Sequence, residues 1–123
     1  MTTSLSYQIS YSEQHIIKVT AKGLADVTQM ENMYQDVLSQ AKDNSCENIL
    51  FDATAMVSNY PLTEFLPLVN RLKPRLTGFK LARLCDIYEH RQDLIETVGN
   101  KENLTIKNFA AEAEATNWLL GAA

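Results

Sequence analysis

An unbroken apolar run lies near the middle of the chain. Ile49, Leu50 and Phe51 stand between Asn48 and Asp52, and polar, helix-forming segments flank them on both sides. A strand without polar alternation must be covered on both faces. The pattern therefore predicts a central strand of a parallel sheet, sandwiched between helical layers.

Two alternating segments precede this strand. Apolar and polar residues alternate over residues 5–11, and again over residues 15–21. Because only residues 12–14 separate them, we expect an antiparallel hairpin. Gly23 is expected to end the pair.

The next segment predicts a long amphipathic helix. Asp26 is a good N-cap, and Gln29 three residues later completes a capping box. Apolar residues then follow at helical spacing, namely Met30, Met33, Tyr34, Val37, Leu38 and Ala41.

A second helix is predicted after the buried strand, beyond a loop over residues 54–59. Pro61 suits its first turn, and Pro67 indicates either a kink or a start nearer Pro67. Pro74 and Gly78 are expected to end this segment. The predicted apolar stripe consists of Leu62, Phe65, Leu66, Val69 and Leu72.

The remaining segments predict two further strand–helix pairs. Residues 79–85 and 104–109 are the strands. The third helix is expected to end at Gly99 and to line one side with Ile87, Arg91, Leu94, Ile95 and Val98. The last helix is expected to have an inner face of Ala111, Ala115, Trp118 and Leu119. Right-handed crossovers then give an α/β fold with a five-stranded mixed sheet, in the order β-β-α-β-α-β-α-β-α.

This order, together with three local motifs, resembles the SpoIIAA-like or STAS fold of anti-sigma-factor antagonists, and its stand-alone STAS-like members in particular. The motifs are Phe51-Asp52-Ala53-Thr54, the strand at residues 79–82, and the ending over residues 109–119, which is similar to F-x-x-x-x-E-A-x-x-W-L. The resemblance covers nearly the whole chain. It implies a domain that binds a protein partner, or a relative of lipid-transfer domains.

Phospho-regulated members of that family carry a phosphoserine at the start of the second helix. Asp52 and Thr54 match the first half of their motif, but residues 60–63 lack its Ser-Gly. The resemblance therefore implies that this switch motif is absent. Ser58 and Thr63 are the nearest hydroxyl groups, and we interpret them as capping or loop residues.

Charge and cysteine content limit the classes of partner and site that this chain can have. A net charge of -4 argues against nucleic acid. Cys46 and Cys85 show no metal or disulfide spacing and are expected to be small, buried, reduced residues of a cytoplasmic protein. The 123 residues suggest one domain, 1–123, with no signal peptide and no apolar run long enough to span a membrane.

A polar candidate site follows the parallel strands. Asp52, Thr54, Asp86 and His90 are expected at their carboxyl ends, beside Cys85 and Tyr88, where open α/β sheets bind ligands. Two carboxylates and a histidine could perform acid–base chemistry. Asp and Thr after a strand more commonly turn the chain and cap the next helix, so we favour that interpretation and expect neither a catalytic site, a metal site nor a cofactor. His15 is interpreted as a surface histidine of the hairpin.

The second helix carries more apolar residues than one stripe needs. Leu62, Phe65 and Leu66 are expected to face the sheet, which leaves Tyr60 and Leu68 for a partner, a second subunit or an apolar ligand. Together with Leu94 on the third helix, all five residues form the candidate ligand or partner surface. The alternative is extra cover for the core. Five basic residues nearby are interpreted as helix-end and solvated strand-end charges, namely Arg71, Lys73, Arg75, Lys80 and Arg83.

Two hypotheses follow. The first is a non-enzymatic binding or regulatory module that acts through the helix at 60–76, as a homodimer or with another protein. The second is a carrier of a lipid or small apolar ligand, with a pocket between the second and third helices and the sheet. An enclosed cavity there would favour the carrier, and an exposed apolar patch would favour the docking module.

Overall fold

One sheet organises the computed structural model, which describes residues 3–121. Its strands are β1 (Ser6–Ser12), β2 (Ile16–Ala25), β3 (Asn48–Ser58), β4 (Lys80–Leu84) and β5 (Thr105–Phe109). They lie in chain order, with β1 antiparallel to β2 and the other neighbours parallel. The predicted mixed sheet with an antiparallel edge strand is confirmed.

Helices cover the two faces of the sheet unequally. They are α1 (Val27–Asp43), α2 (Phe65–Leu76), α3 (His90–Lys101) and α4 (Glu112–Leu119), and a 3-10 helix at Leu62–Glu64 precedes α2. Since β2 to β5 follow one another in one direction, right-handed crossovers place α1, α2 and α3 on the same face. The fourth helix packs on the opposite face, against β3, β4 and β5.

The central strand is buried on both sides, as predicted. Ile49 and Phe51 belong to the core beneath α1 and α2, and the ring of Phe51 stacks on Tyr34 with centroids 5.5 Å apart. Leu50 points to the other side and joins the core beneath α4. All three side chains are at most 3% exposed.

The first helix begins and packs as its sequence predicts. Asp26 Oδ1 accepts the backbone N–H of Gln29 at 2.8 Å, and Gln29 Oε1 accepts the backbone N–H of Asp26 at 2.9 Å. All six residues of the predicted stripe are buried. This capping box satisfies N–H groups that the helix itself cannot.

The prediction that β3 ends at Asp52 and a loop follows is wrong, because β3 continues to Ser58 beside an equally extended β2. The register shifts once, since Thr20 pairs with Asp52 but Lys22 pairs with Ala55. This bulge places one extra residue in β3. Gly23 does not end the hairpin: it lies inside β2 at φ 92°, where a Cβ would stand 2.6 Å from the carbonyl oxygen of Ser4.

The bounds of α2 and α3 differ in part from those predicted from the prolines and Gly99. Because α2 begins at Phe65, Pro67 falls in its first turn, which confirms the predicted start nearer Pro67. Pro74 was expected to end the helix but lies inside it. Ile87 precedes α3 instead of lying on it, and α3 continues past Gly99 to Lys101. Gly99 is needed there because a Cβ would lie 2.5 Å from Ile106 Cδ1.

The last helix buries part of its predicted inner face. Ala115 and Leu119 are buried, and Trp118 is half-buried with its ring against Phe109. Ala111 is the exposed N-cap residue, so its placement on the inner face was wrong.

Candidate functional site

The second helix turns a different face to the sheet from the one expected. Its buried residues are Phe65, Leu68, Val69, Leu72 and Leu76, and Tyr60 just before it is also buried. Leu62 and Leu66 are exposed, so the assignment of these two to the core, and of Tyr60 and Leu68 to the outside, is wrong. A helix that starts at Phe65 buries the third, fourth and seventh residues after it, and Leu66 falls outside that set.

The outer apolar residues of this region gather at the carboxyl end of the parallel strands. Val57 lies at the end of β3, Leu62 and Leu66 follow it, and Ile87 and Tyr88 lie between β4 and α3. Tyr88 is 91% exposed. We call these five residues the carboxyl-edge surface.

Few other large apolar side chains are exposed outside the carboxyl-edge surface among the residues that the structure describes. Within the part of the chain that the structure describes, seven large apolar side chains are exposed, and the other two are Tyr11 and Leu120. Leu120 lies at the opposite edge, since Lys80 at the start of β4 donates to the Trp118 carbonyl oxygen at 2.8 Å. Scattered apolar residues are normal on a surface, whereas five of these seven lie on segments at the carboxyl edge of the sheet.

Hydrogen bonds join the two chain segments behind this surface. Arg91 on α3 donates from Nη2 to the carbonyl oxygen of Tyr60 at 2.9 Å, and its guanidinium lies 4.7 Å from the centre of the Tyr60 ring. The segment before α2 is therefore tied to the start of α3. Leu94 on α3 is only half-buried.

The charges around the carboxyl-edge surface are mostly negative. Glu64, Asp86 and Glu89 are exposed among its residues, and the sequence contains no lysine or arginine from 52 to 70. Arg91 is the nearest cation on α3, and it is already engaged with Tyr60. A partner with positive charges around an apolar centre would complement this edge.

Three of the four polar candidates, Asp52, Thr54 and Asp86, form hydrogen bonds within their own turns. Asp52 Oδ1 accepts the backbone N–H of Thr54 at 3.1 Å and its hydroxyl at 2.6 Å, at the bulge in β3. Asp86 Oδ1 accepts the backbone N–H of Tyr88 at 3.0 Å. His90 is exposed at the first position of α3. Among residues 3–121, no side-chain hydrogen bond connects Asp52, Asp86 and His90.

The two cysteines and His15 are the remaining candidates. Cys46 and Cys85 are free and buried, as predicted, and burial raises the pKa of the Cys85 thiol. His15 is exposed in the hairpin, where its Nδ1 lies 2.6 Å from the hydroxyl of Tyr11. The prediction of a surface histidine is confirmed.

The basic stretch does not form one patch. Arg71 pairs with Glu31 and Lys73 with Glu102, while Lys80 lies 4.8 Å from the centre of the Trp118 ring. Arg83 is only 3% exposed, so its assignment to a solvated strand end is wrong.

The cavity between the second and third helices and the sheet is too small for a lipid or a drug-sized ligand. The space enclosed by α2, α3 and the sheet has a volume of about 40 Å³, whereas pockets for drug-sized ligands measure about 300–1,000 Å³. A larger groove of about 600 Å³ opens at the amino end of the strands, between the end of α1 and the segment after α2. It is not the pocket between the second and third helices that the hypothesis requires.

Within the range 3–121, no group of three or more His, Cys, Asp or Glu side chains is arranged to hold a metal ion. No helix in that range is long and apolar enough to cross a bilayer.

Comparison with known proteins shows the fold. The structure is similar to that of an uncharacterized DUF3478-family protein with a SpoIIAA-like fold from Shewanella loihica PV-4, at a TM-score of 0.65 and 16% identity. It is similar at the same TM-score, with 11% identity, to an anti-sigma factor antagonist from Mycobacterium paratuberculosis. Each comparison covers 97% of this chain and 98% of the other. This is a SpoIIAA-like, or STAS-like, fold.

No protein-family model matches this sequence, and no curated protein does.

Proposed function

We propose that this chain is a non-enzymatic regulatory module of the cytoplasm that docks another protein through its carboxyl-edge surface. The observation that supports this is the convergence of Val57, Leu62, Leu66, Ile87 and Tyr88 from separate segments onto one edge of the sheet. The centres of protein interfaces are built from such apolar and aromatic side chains, with polar groups around them.

Charge defines the partner further. Glu64, Asp86 and Glu89 are exposed on the same chain segments as the apolar residues, so the partner is expected to present an apolar segment flanked by lysine or arginine. Opposite charges would orient the encounter and exclude acidic competitors. The proposed site is therefore the edge that contains the start of α2, rather than the whole helix at 60–76.

The fold comparison is consistent with this role. One structural neighbour is an anti-sigma factor antagonist, a protein named for opposing another protein. A regulatory binding role also fits the polar residues near the edge, since Asp52 and Asp86 are occupied by turns of their own backbone.

Site-specific photo-crosslinking tests the proposal. A photoreactive amino acid replaces Tyr88 in one variant and Leu120 in another, and both are expressed in the source organism. Leu120 is the control because it is also exposed but lies at the opposite edge, and its exposed fraction of 45% is close to the 48% of Leu66, which is changed below. We expect a discrete adduct from position 88 only.

The captured protein is then purified and its affinity measured. Leu66→Asp is expected to weaken binding by about 30-fold or more, since truncating a central interface residue costs about 2 kcal/mol. Leu120→Asp is expected to leave the affinity unchanged. Equal crosslinking at both positions, or equal affinity of both variants, would contradict the proposal. An adduct between two copies of this chain would instead identify a homodimer.

A further inference from the structure

A buried arginine faces the core between α2, α3 and the sheet. Arg83 lies on β4 between Ala82 and Leu84, which face α4, so its own side chain points to the opposite face. It lines the small cavity there and is 3% exposed. Arginine is almost never buried to this extent unless it is paired.

The partners that the protein supplies to Arg83 are neutral. Its Nη1 donates to Asn108 Oδ1 at 3.1 Å and its Nη2 donates to Gln92 Oε1 at 2.8 Å. Its Nε has no hydrogen-bond partner. A guanidinium has five N–H donors; two of them meet these amides and the Tyr34 hydroxyl oxygen accepts another, so about two remain available.

No carboxylate neutralises this charge within residues 3–121. The ion pairs there are Lys18 with Glu112, Arg71 with Glu31 and Lys73 with Glu102. The nearby carboxylate of Glu96 accepts the backbone N–H of Asn108 at 3.3 Å instead. An unpaired buried charge is strongly destabilising, so an anion bound from solution would stabilise the folded state.

The cavity limits what that anion can be. Its volume of about 40 Å³ exceeds the space needed for one water molecule but is too small for a lipid. The walls are otherwise mainly aliphatic and aromatic, with Phe65, Leu68, Leu72, Ile95 and Ile106 among them. Such walls favour a short apolar chain over a fully hydrated inorganic ion.

We propose that Arg83 binds the carboxylate of a short-chain monocarboxylic acid in this cavity, with the aliphatic end of the acid packed against Leu68 and Leu72. The planar guanidinium matches a carboxylate with two parallel N–H donors. Gln92 and Asn108 are positioning residues, because their amide oxygens accept hydrogen bonds from the guanidinium.

The neighbouring tyrosine supports this arrangement. Tyr34 also lines the cavity, and burial raises the pKa of its hydroxyl, although the charge of Arg83 opposes that rise. The hydroxyl is therefore protonated at neutral pH and available to donate a hydrogen bond to a bound anion.

Thermal unfolding with added acids provides the test. The probes are acetate, propionate and butyrate at constant pH and ionic strength, and propionamide is the uncharged control. A saturable rise in Tm of about 5 °C is expected at roughly ten times the Kd of a bound acid, with no rise for propionamide. No saturable rise with any of the three acids would overturn the proposal.

Two variants locate the effect. Arg83→Met is expected to abolish the response and to fold, because replacing a buried charge with an apolar side chain of similar length is often neutral. Arg75→Met removes an exposed arginine at the other edge and is expected to respond as the original protein does. An unchanged response in Arg83→Met would overturn the proposal.

A measurement on the unaltered protein covers the case in which Arg83→Met does not fold. In a nitrogen-15 spectrum of arginine side chains, the Nε–H signal of Arg83 is expected to shift on titration with butyrate, while that of Arg75 stays in place. A signal of Arg83 that does not move would overturn the proposal. The outcome is independent of docking at the carboxyl-edge surface, which none of these experiments measures.

Discussion

The second helix and the 3-10 helix before it carry two apolar surfaces made of the same residue types. Phe65, Leu68 and Leu72 pack on the sheet, whereas Leu62 and Leu66 are exposed at the carboxyl edge. The two sets interleave along the sequence and differ only in their angle around the helix. The comparison shows that apolar content identifies neither a core nor a docking surface until the first residue of the helix is known.

The largest expected change in stability distinguishes a residue of the buried set from a residue of the exposed set. Leu68→Ala should lower the free energy of unfolding by about 2–5 kcal/mol, because it opens a cavity beneath α2. Leu66→Ala, two residues earlier, should change it by no more than about 0.5 kcal/mol. Urea denaturation measures both. Similar losses in the two variants would mean that the helix packs with a different face.

A smaller effect separates stability from docking. Asp26→Ala removes the N-cap of α1, and caps of this kind contribute about 1 kcal/mol. The variant should lose about that much stability while keeping full affinity for the partner. Asp26→Asn is the matched control, since asparagine also caps well. Loss of affinity in Asp26→Ala would show that binding follows global stability rather than the carboxyl-edge surface.

An exposed polar contact at the β1 edge of the sheet is expected to contribute less. Tyr7 donates a hydrogen bond to the Asp36 carboxylate, and this bond, with burial and the negative charge, raises the pKa of Tyr7 from 10.0 to about 12. The folded state therefore holds the phenol proton more tightly than the unfolded chain. This contribution is complete below pH 10 and is lost as the pH rises to about 12.

Unfolding by urea across that pH range checks the effect. Tyr7→Phe should show a weaker decline in stability between pH 10 and about 12. The difference should be small, because exposed polar contacts are screened by solvent. Tyr11→Phe is the matched control on the same strand, and an equal decline in both variants would refute the assignment.

The smallest expected effect lies at the centre of the proposed interface. Tyr88→Ser should leave the free energy of unfolding within about 0.5 kcal/mol of the original value, because this side chain is 91% exposed. A clear loss of stability would show that Tyr88 packs in the protein by itself and is not held available for a partner.

Local patterns in the sequence determined the frame of the molecule. The apolar run at Ile49–Phe51, the capping box at Asp26 and the alternating hairpin strands each depend on neighbours within a few residues, so the sequence alone was enough to predict them. Together with the order of elements, they were sufficient for the five-stranded mixed sheet and the SpoIIAA-like fold. The capping of nearby backbone by Asp52 and Asp86 is local for the same reason.

Only the tertiary structure decided the surfaces. The extension of β3 to Ser58 depends on pairing with β2 across a bulge, and Val57 reaches the edge because of it. The burial of Arg83 depends on Gln92 and Asn108, which come from two later elements. Contacts between residues far apart in the chain carry no signature in the periodicity of either segment. The sequence therefore predicted the scaffold, and the folded structure alone revealed the apolar edge and the unpaired charge in the core.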